Sequence, residues 1–274
     1  MSFLFASTTL VYFILDMLIV VSMVAAILIN EPYIFLVFLI IVIVAIFGMI
    51  IAGKMATKKY NKSLSKLDYD VHGFLNEQYR FLNKIFINKN VHNLIEMNIA
   101  CGFINNEQYD KALEILSKFE MTGYQGLMPA MRFIAFANQA YCHIELGNLE
   151  RAKPYIQSSE MILRTARLNN NSRYEFSLVF DNLVALFNYK MNPDIQNVQA
   201  LIEKLYVRLN FAEQNNRYNR LILHYGLGVM YMRIGDTLRA ESEFGYVLRA
   251  GSNLPCVDRI KAYNKTGDTS VLDI

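Results

Sequence analysis

Hydrophobic positions follow one pattern in residues 1–53 and a different one in the rest of the chain. Residues 9–29 and 33–52 form two continuous apolar runs, divided only by an Asn-Glu-Pro triplet at positions 30–32. At about 1.5 Å per residue, either run as a helix reaches across the roughly 30 Å hydrocarbon core of a bilayer. Pro32 prevents one helix from continuing through both runs. We therefore predict a transmembrane helical hairpin within residues 1–53.

Asp16 is the one charged residue inside the two runs. A central Asp opposes membrane insertion by about 2.5–3.5 kcal/mol, which the surrounding Leu, Ile, Val and Phe side chains offset. Carboxylates within a membrane usually face a protein interior and have a partner there. Two interpretations stay open. Asp16 contacts a second membrane protein or another copy of this chain, or it lies off-centre and reaches water or a hydroxyl group.

The charge distribution predicts the orientation in the membrane. The chain has 27 basic and 24 acidic residues, for a formal net charge of +3. Basic residues are absent from positions 1–53 and then cluster at Lys54, Lys58, Lys59 and Lys62. Because basic residues next to a span stay in the cytoplasm, we expect both the N-terminus and the C-terminal domain to be cytoplasmic. An extracytoplasmic domain would need the opposite orientation. The nearly neutral remainder argues against nucleic-acid binding.

Residues 54–89 have the pattern of a basic amphipathic juxtamembrane helix. Apolar residues recur there every three or four positions, with lysine and arginine among and opposite them. Such a helix can lie on anionic lipid headgroups, as its basic start favours. The alternative is that it packs as the first helix of the domain that follows.

From residue 90 onwards, helical segments alternate with short polar turns. Each turn joins a helix-stopping residue to a residue that suits a helix start: Asn105-Asn106, Gly147-Asn148, Asn192-Pro193 and Gly235-Asp236. The alternating pattern of β-strands is absent. The sequence therefore predicts an all-α domain built from helical hairpins.

These hairpins repeat one motif, best preserved near the C-terminus. Gly228 is followed by Tyr231, a Gly-Asp turn at 235–236, and then Ala240 and Phe244. This motif resembles the tetratricopeptide repeat. Its small-residue anchors, Ala100, Ala140, Ala185 and Gly228, lie 40, 45 and 43 residues apart. The family's repeat is about 34 residues long, so the helices or turns must be longer here. The resemblance implies an α-solenoid of antiparallel helix pairs over residues 90–254, with a capping helix and tail at 255–274.

The resemblance also implies a function in protein binding. Tetratricopeptide proteins bind other proteins or peptides in a groove formed by the first helix of each repeat. Carried onto this sequence, the groove-facing positions are Met97, Cys101, Tyr141, Tyr225, Val229 and Met232. Such an apolar set, rich in Tyr and Met, favours an amphipathic helix or apolar segment as the ligand. Only Arg233 and Asn105 approach a charge clamp for a carboxylate. Alternatively, the array's own helices fill the groove.

Motifs for catalysis or metal binding are absent from the sequence. The four histidines and three cysteines lack metal-ligand spacing, and phosphate-binding and nucleophile motifs are missing. His143 occupies a position where the repeat has an aromatic residue, so we expect it to be a core residue. We therefore predict that the protein is not an enzyme and needs no cofactor or metal.

Two functions follow from these patterns. The first is a membrane-anchored, tetratricopeptide-like adaptor or scaffold that binds a protein or peptide partner at the cytoplasmic membrane face. The alternative is an integral accessory subunit of a membrane transport or secretion complex, in which the hairpin with Asp16 makes the key contact. Assembly of the chain with copies of itself stays open in either case.

Overall fold

The structure is a computed structural model that describes most of the chain beyond residue 57. Described are residues 58–83, 89–121, 123–124, 127–212, 217–251 and 253–272, together with isolated positions 17, 20, 21, 43, 47, 54 and 55. Asp16 and, apart from those isolated positions, the predicted spans at 9–29 and 33–52 lie outside the described residues. Within the described part, no helix is both long enough and apolar enough to cross a membrane.

The described residues fold into helices without a β-strand, which confirms the predicted all-α class. A 3-10 helix, η1, covers Ser65–Asp68. The α-helices are α1 (Val71–Leu82), α2 (Lys89–Asn105), α3 (Tyr109–Met121), α4 (Pro129–Glu145), α5 (Leu149–Thr165), α6 (Asn170–Met191), α7 (Ile195–Ala212), α8 (Arg217–Arg233), α9 (Thr237–Ala250) and α10 (Pro255–Thr266). A second 3-10 helix, η2, covers Thr269–Leu272.

Neighbouring helices pack in pairs. The pairs are α2/α3, α4/α5, α6/α7 and α8/α9. The first helix of one pair also contacts the first helix of the next, as α2 does with α4 and α4 with α6. This arrangement of stacked pairs is compatible with a helical repeat.

The predicted small-residue anchors lie in the core of this array. Ala100 and Ala140 are fully buried, and Ala185 is 8% exposed. At Gly228, an added Cβ atom would lie 2.4 Å from the Phe244 ring, closer than any side chain allows. Small residues are therefore required here because the two helices of a pair approach closely.

Three of the four turns within pairs share one geometry. The amide of the third residue after the helix donates to a carbonyl five positions earlier, as Asp236 does to Tyr231 at 2.9 Å. The second residue after the helix has a positive φ: 58° at Glu107, 72° at Gly147 and 78° at Gly235. This is the Schellman arrangement, which ends a helix and satisfies its last carbonyl groups. The α6–α7 turn, through Asn192 and Pro193, differs from it.

The single helix expected over residues 54–89 is two helical segments in the structure. The break falls at Tyr69–Asp70, because the Asp70 side chain accepts from the Gly73 amide at 2.9 Å and starts α1. The two segments then pack on each other through Tyr60 and Phe81, whose rings are 5.5 Å apart. Asn98 of α2 donates to the Tyr60 hydroxyl. Residues 58–82 are therefore the first layer of the helical domain.

The two ends of the array meet. Near its beginning, η1 contacts α8. Near its end, Arg259 of α10 forms an ion pair with Glu107 of the α2–α3 turn, 152 positions away. The tail beyond α10 also packs, since Leu272 of η2 is 1% exposed. The array consequently curves round a central space.

Candidate partner-binding cavity

The array curves round a partly open cavity of about 460 Å³, which we call the central cavity. Its wall is formed by the first helices α2, α4, α6 and α8, with contributions from the α2–α3 turn, α3, α7, α10 and η1. Ligand-binding pockets of roughly 300–1,000 Å³ are typical of proteins, so the central cavity is large enough for a ligand.

Three of the six predicted groove residues line the central cavity together. Cys101 of α2, Tyr141 of α4 and Tyr225 of α8 all belong to its wall. Met97 and Val229 instead lie in the core, where they are 3% and 2% exposed. Met232 contacts the Tyr263 hydroxyl through its sulfur at 3.8 Å and is outside the wall.

The wall is more polar than the sequence indicated. The sequence pattern singled out apolar and tyrosine side chains, with Asn105 and Arg233 as the nearest approach to a charge clamp. In the structure, Arg233 is not part of the wall. The polar and charged residues of the wall are Asn105, Glu107, Asn138, Glu145, Asn182, Lys190, Arg208, Asn219 and Arg259. A glutamate at Glu107, where two other repeats have glycine, was the one sequence signal that could have pointed here.

Glu107 and Arg259 form an ion pair in the cavity wall. The two side chains are 26% and 32% exposed, so each is partly removed from water. Burial raises the pKa of the Glu107 carboxyl, and the Arg259 charge opposes that rise. Burial also raises the pKa of the neighbouring Tyr225 to about 12, against the effect of Arg259. The turn and the last helix are therefore joined by a partly buried polar cluster.

Glu145 and Lys190 form a second pair in the wall, with 3.8 Å between the carboxylate and the ammonium nitrogen. The Glu145 side chain is 8% exposed, and its burial raises the pKa of the carboxyl despite the Lys190 charge. Its Oε1 atom has no hydrogen-bond partner among the described residues. A buried carboxylate oxygen without a partner is costly, so this part of the wall has unused hydrogen-bonding capacity.

Two asparagines of the wall are also weakly satisfied. Asn138 donates from Nδ2 to the Cys101 sulfur at 3.4 Å, and a thiol is a weak acceptor. The Oδ1 atom of Asn182 is buried without a hydrogen-bond partner in the described part of the chain. Tyr109 and Tyr141 meet edge to face beside them, with ring centroids 6.1 Å apart. The wall thus offers amide groups next to aromatic surface.

The thiols and histidines do not form a reactive cluster with this wall. Burial raises the pKa of Cys256 to about 12, so its thiol is protonated at neutral pH and a poor nucleophile. His143 is 9% exposed and stacks on Tyr155, with ring centroids 5.5 Å apart. Among the described residues, His, Cys, Asp and Glu side chains form no group of three that could hold a metal ion.

Over its described residues, the chain is an all-α protein of stacked helix pairs around a cavity lined by both apolar and polar side chains. A search of protein-family models, of curated proteins and of solved structures finds no match for it.

Proposed function

We propose that the protein is a membrane-anchored adaptor, similar to tetratricopeptide proteins, that binds a protein or peptide partner in the central cavity. The observation that carries this proposal is the convergence of four successive first helices on one cavity wall. That wall holds side chains from residues more than 100 positions apart, including Cys101, Tyr141 and Tyr225. Clefts between helices of such arrays are common places for ligands.

Two features support anchoring at the cytoplasmic membrane face. The apolar runs at 9–29 and 33–52 have the length of membrane spans, and their five described positions, Met17, Val20, Val21, Ile43 and Phe47, are all helical, apolar and exposed. Lys54, Lys58, Lys59 and Lys62 are exposed directly after the second run, where they can contact anionic headgroups. Anchoring raises the local concentration of a bound partner, so the adaptor acts without turnover.

The test is crosslinking of the full-length chain in intact membranes, followed by identification of the proteins that co-purify. We compare Tyr141→Ala in the cavity wall, Asp16→Leu in the first run, and Tyr79→Ala, an exposed tyrosine of α1, as control. If the protein is an adaptor, we expect a partner that no longer co-purifies with Tyr141→Ala but still co-purifies with the other two variants. A partner lost only with Asp16→Leu would contradict it and favour the accessory-subunit alternative.

A further inference from the structure

One face of α6 lines the central cavity along half of the helix. Its residues are spaced three or four positions apart, as one face of a helix requires: Val179, Asn182, Leu183, Leu186 and Lys190. At about 1.5 Å per residue, this face is roughly 16 Å long. The cavity therefore extends along α6 and has room for an elongated molecule.

The chemistry of the wall changes along this face. Near the end of α6, Lys190 lies 3.8 Å from the Glu145 carboxylate. The charges of Glu107 and Arg259 also act on that carboxylate, so the ionic groups of the wall lie close together. The rest of the face is mainly apolar, and the neighbouring helices α7 and α8 add buried leucines to it: Leu201, Leu205 and Leu223. The cavity is therefore amphipathic, with an ionic end and an apolar body.

Two oxygen atoms of this wall have no hydrogen-bond partner among the described residues. They are Oε1 of Glu145, whose side chain is 8% exposed, and Oδ1 of Asn182. Both atoms are hydrogen-bond acceptors. Buried acceptors are normally paired, so these two oxygens indicate a ligand that donates hydrogen bonds.

The packing of α4 on α6 shows how far apart these two acceptors lie. Phe133 stacks on Phe176 near the starts of the two helices, with ring centroids 4.5 Å apart. Glu145 meets Lys190 near their ends, so the two helices run parallel. Asn182 precedes Lys190 by eight positions, which corresponds to roughly 12 Å along the helix. A ligand that satisfies both acceptors must therefore donate at two well-separated points.

The charges of the wall favour an uncharged ligand. The wall has three basic residues, Lys190, Arg208 and Arg259, against two acidic residues, Glu107 and Glu145. This excess of positive charge disfavours a cation, and Glu145 already lies beside Lys190. An anion would meet the Glu145 carboxylate oxygen that needs a donor. Neutral donors such as hydroxyl and amide groups fit both conditions.

We infer that the central cavity binds an uncharged, elongated amphipathic small molecule, whose hydroxyl or amide groups donate to Glu145 and Asn182 and whose apolar body packs on the leucines. This inference goes beyond the proposed function, because binding of the small molecule needs no partner protein. If a partner contacts the same wall at Tyr141, the two compete. Occupancy of the cavity by the small molecule then regulates the adaptor.

Isothermal titration calorimetry of the full-length chain in lipid nanodiscs tests this inference. The probes share one carbon chain: octanediol with a hydroxyl group at each end, its dimethyl ether, the matching diamine, and suberate. Heats from empty nanodiscs are subtracted to remove partitioning into lipid. We expect saturable binding of the diol, and binding at least about tenfold weaker for the dimethyl ether, which keeps the oxygens but loses both donors. The two charged probes should also bind more weakly than the diol.

Variants on α6 test which residues hold the ligand. Asn182→Leu removes one acceptor and should weaken diol binding by about fivefold, as expected for one neutral hydrogen bond, without weakening binding of the dimethyl ether. Val179→Trp places a large side chain in the cavity wall and should abolish binding of both. Asn188→Leu is the control, because Asn188 is exposed on the same helix and outside the wall. Circular dichroism confirms that each variant is folded.

Four outcomes would overturn the inference. Without saturable heat from the diol, water would be what satisfies the two oxygens. Equal affinities for the diol and its dimethyl ether would show that the donors are not used, and tighter binding of a charged probe would contradict an uncharged ligand. Unchanged diol affinity in folded Asn182→Leu and Val179→Trp variants would place binding outside the central cavity. The assay contains no partner protein, so its outcome is independent of the crosslinking test of the adaptor.

Discussion

The α2–α3 and α8–α9 turns have the same hydrogen bonds but different residues at the same place. In each, the second residue after the helix has a positive φ, and the next amide bonds back over five residues: Gln108 to Phe103 at 2.8 Å and Asp236 to Tyr231 at 2.9 Å. Gly235 adopts this conformation without strain, whereas Glu107 is disfavoured there by about 1 kcal/mol. The α8–α9 turn only ends a helix. The α2–α3 turn also forms an ion pair with Arg259 of α10, which explains why it tolerates strain.

The largest expected effect is at the helix contact beneath the α8–α9 turn. Gly228→Leu should lower the free energy of unfolding by about 3 kcal/mol, because the new side chain meets the Phe244 ring in a core that is already filled. Chemical denaturation of the full-length chain in detergent, followed by circular dichroism, measures it. Gly245→Ala on α9 is the control, since its added Cβ meets only a flexible arginine end. Equal stability of Gly228→Leu and the wild type would contradict this close approach.

The α2/α3 pair has the same motif positions as the α8/α9 pair, filled by residues of different size. Ala100 occupies the place of Gly228, and Leu116 occupies that of Phe244, four positions after the buried Ala112 or Ala240. The smaller anchor, Gly228, is paired in the motif with the larger Phe244, and the larger anchor, Ala100, with the smaller Leu116. This spacing is local and periodic, so the helix pairs and their anchors could be predicted from the sequence alone.

The second prediction breaks the ion pair of the α2–α3 turn. Arg259→Met should lower the free energy of unfolding by about 1–3 kcal/mol, because Glu107 is left partly buried without its charged partner. In that background, Glu107→Gly should restore about 1 kcal/mol, since glycine relieves the strain of the positive φ.

A double-mutant cycle in the same denaturation assay measures this coupling. In the wild-type background Glu107→Gly should not stabilise the protein, because the gain in backbone freedom is offset by the lost ion pair. Additive effects of Arg259→Met and Glu107→Gly would show that the two side chains do not interact. The Glu107 side chain would then contribute no ion pair to stability, and the turn would have the same role as the turns that contain glycine.

The cavity wall could not be predicted as well as the helix pairs. Which face of a first helix is inward depends on how tightly the whole array curves, and that depends on contacts such as Glu107–Arg259 between residues 152 positions apart. Periodicity carries no information on such contacts. Met97 and Val229 were therefore assigned to the groove but lie in the core, while Asn138, Asn182 and Lys190 were not assigned to it and line the cavity.

A third prediction compares the caps that follow two of the turns. Asp236 accepts from the Arg239 amide at 3.1 Å, whereas Asn148 makes no side-chain cap bond at the start of α5. Asp236→Ala should therefore cost about 1 kcal/mol and Asn148→Ala only a few tenths of a kcal/mol. Thermal unfolding of the two variants in parallel measures the difference. A larger loss for Asn148→Ala would contradict the assignment of the caps.

The smallest effect is on pH dependence and concerns Glu145. Burial raises the pKa of this carboxyl in the folded protein above its ordinary value of 4.5, so the folded state holds its proton to higher pH than the unfolded state does. The contribution of Glu145 to stability is present below pH 4.5 and is lost as the pH rises through the raised pKa. Glu145→Gln should remove that loss, which denaturation at a series of pH values measures. If the stability of Glu145→Gln and of the wild type varied with pH in the same way, the burial of the Glu145 carboxylate would be contradicted.

The most direct test of the account is where a partner touches the protein. A photo-crosslinking amino acid is placed in the full-length chain in native membranes, either at position 179 in the cavity wall or at position 188 on the exposed side of α6. The account predicts a defined adduct from position 179 that Tyr141→Ala weakens, and none from position 188. An adduct from position 188 alone, or equal adducts from both, would contradict binding in the central cavity.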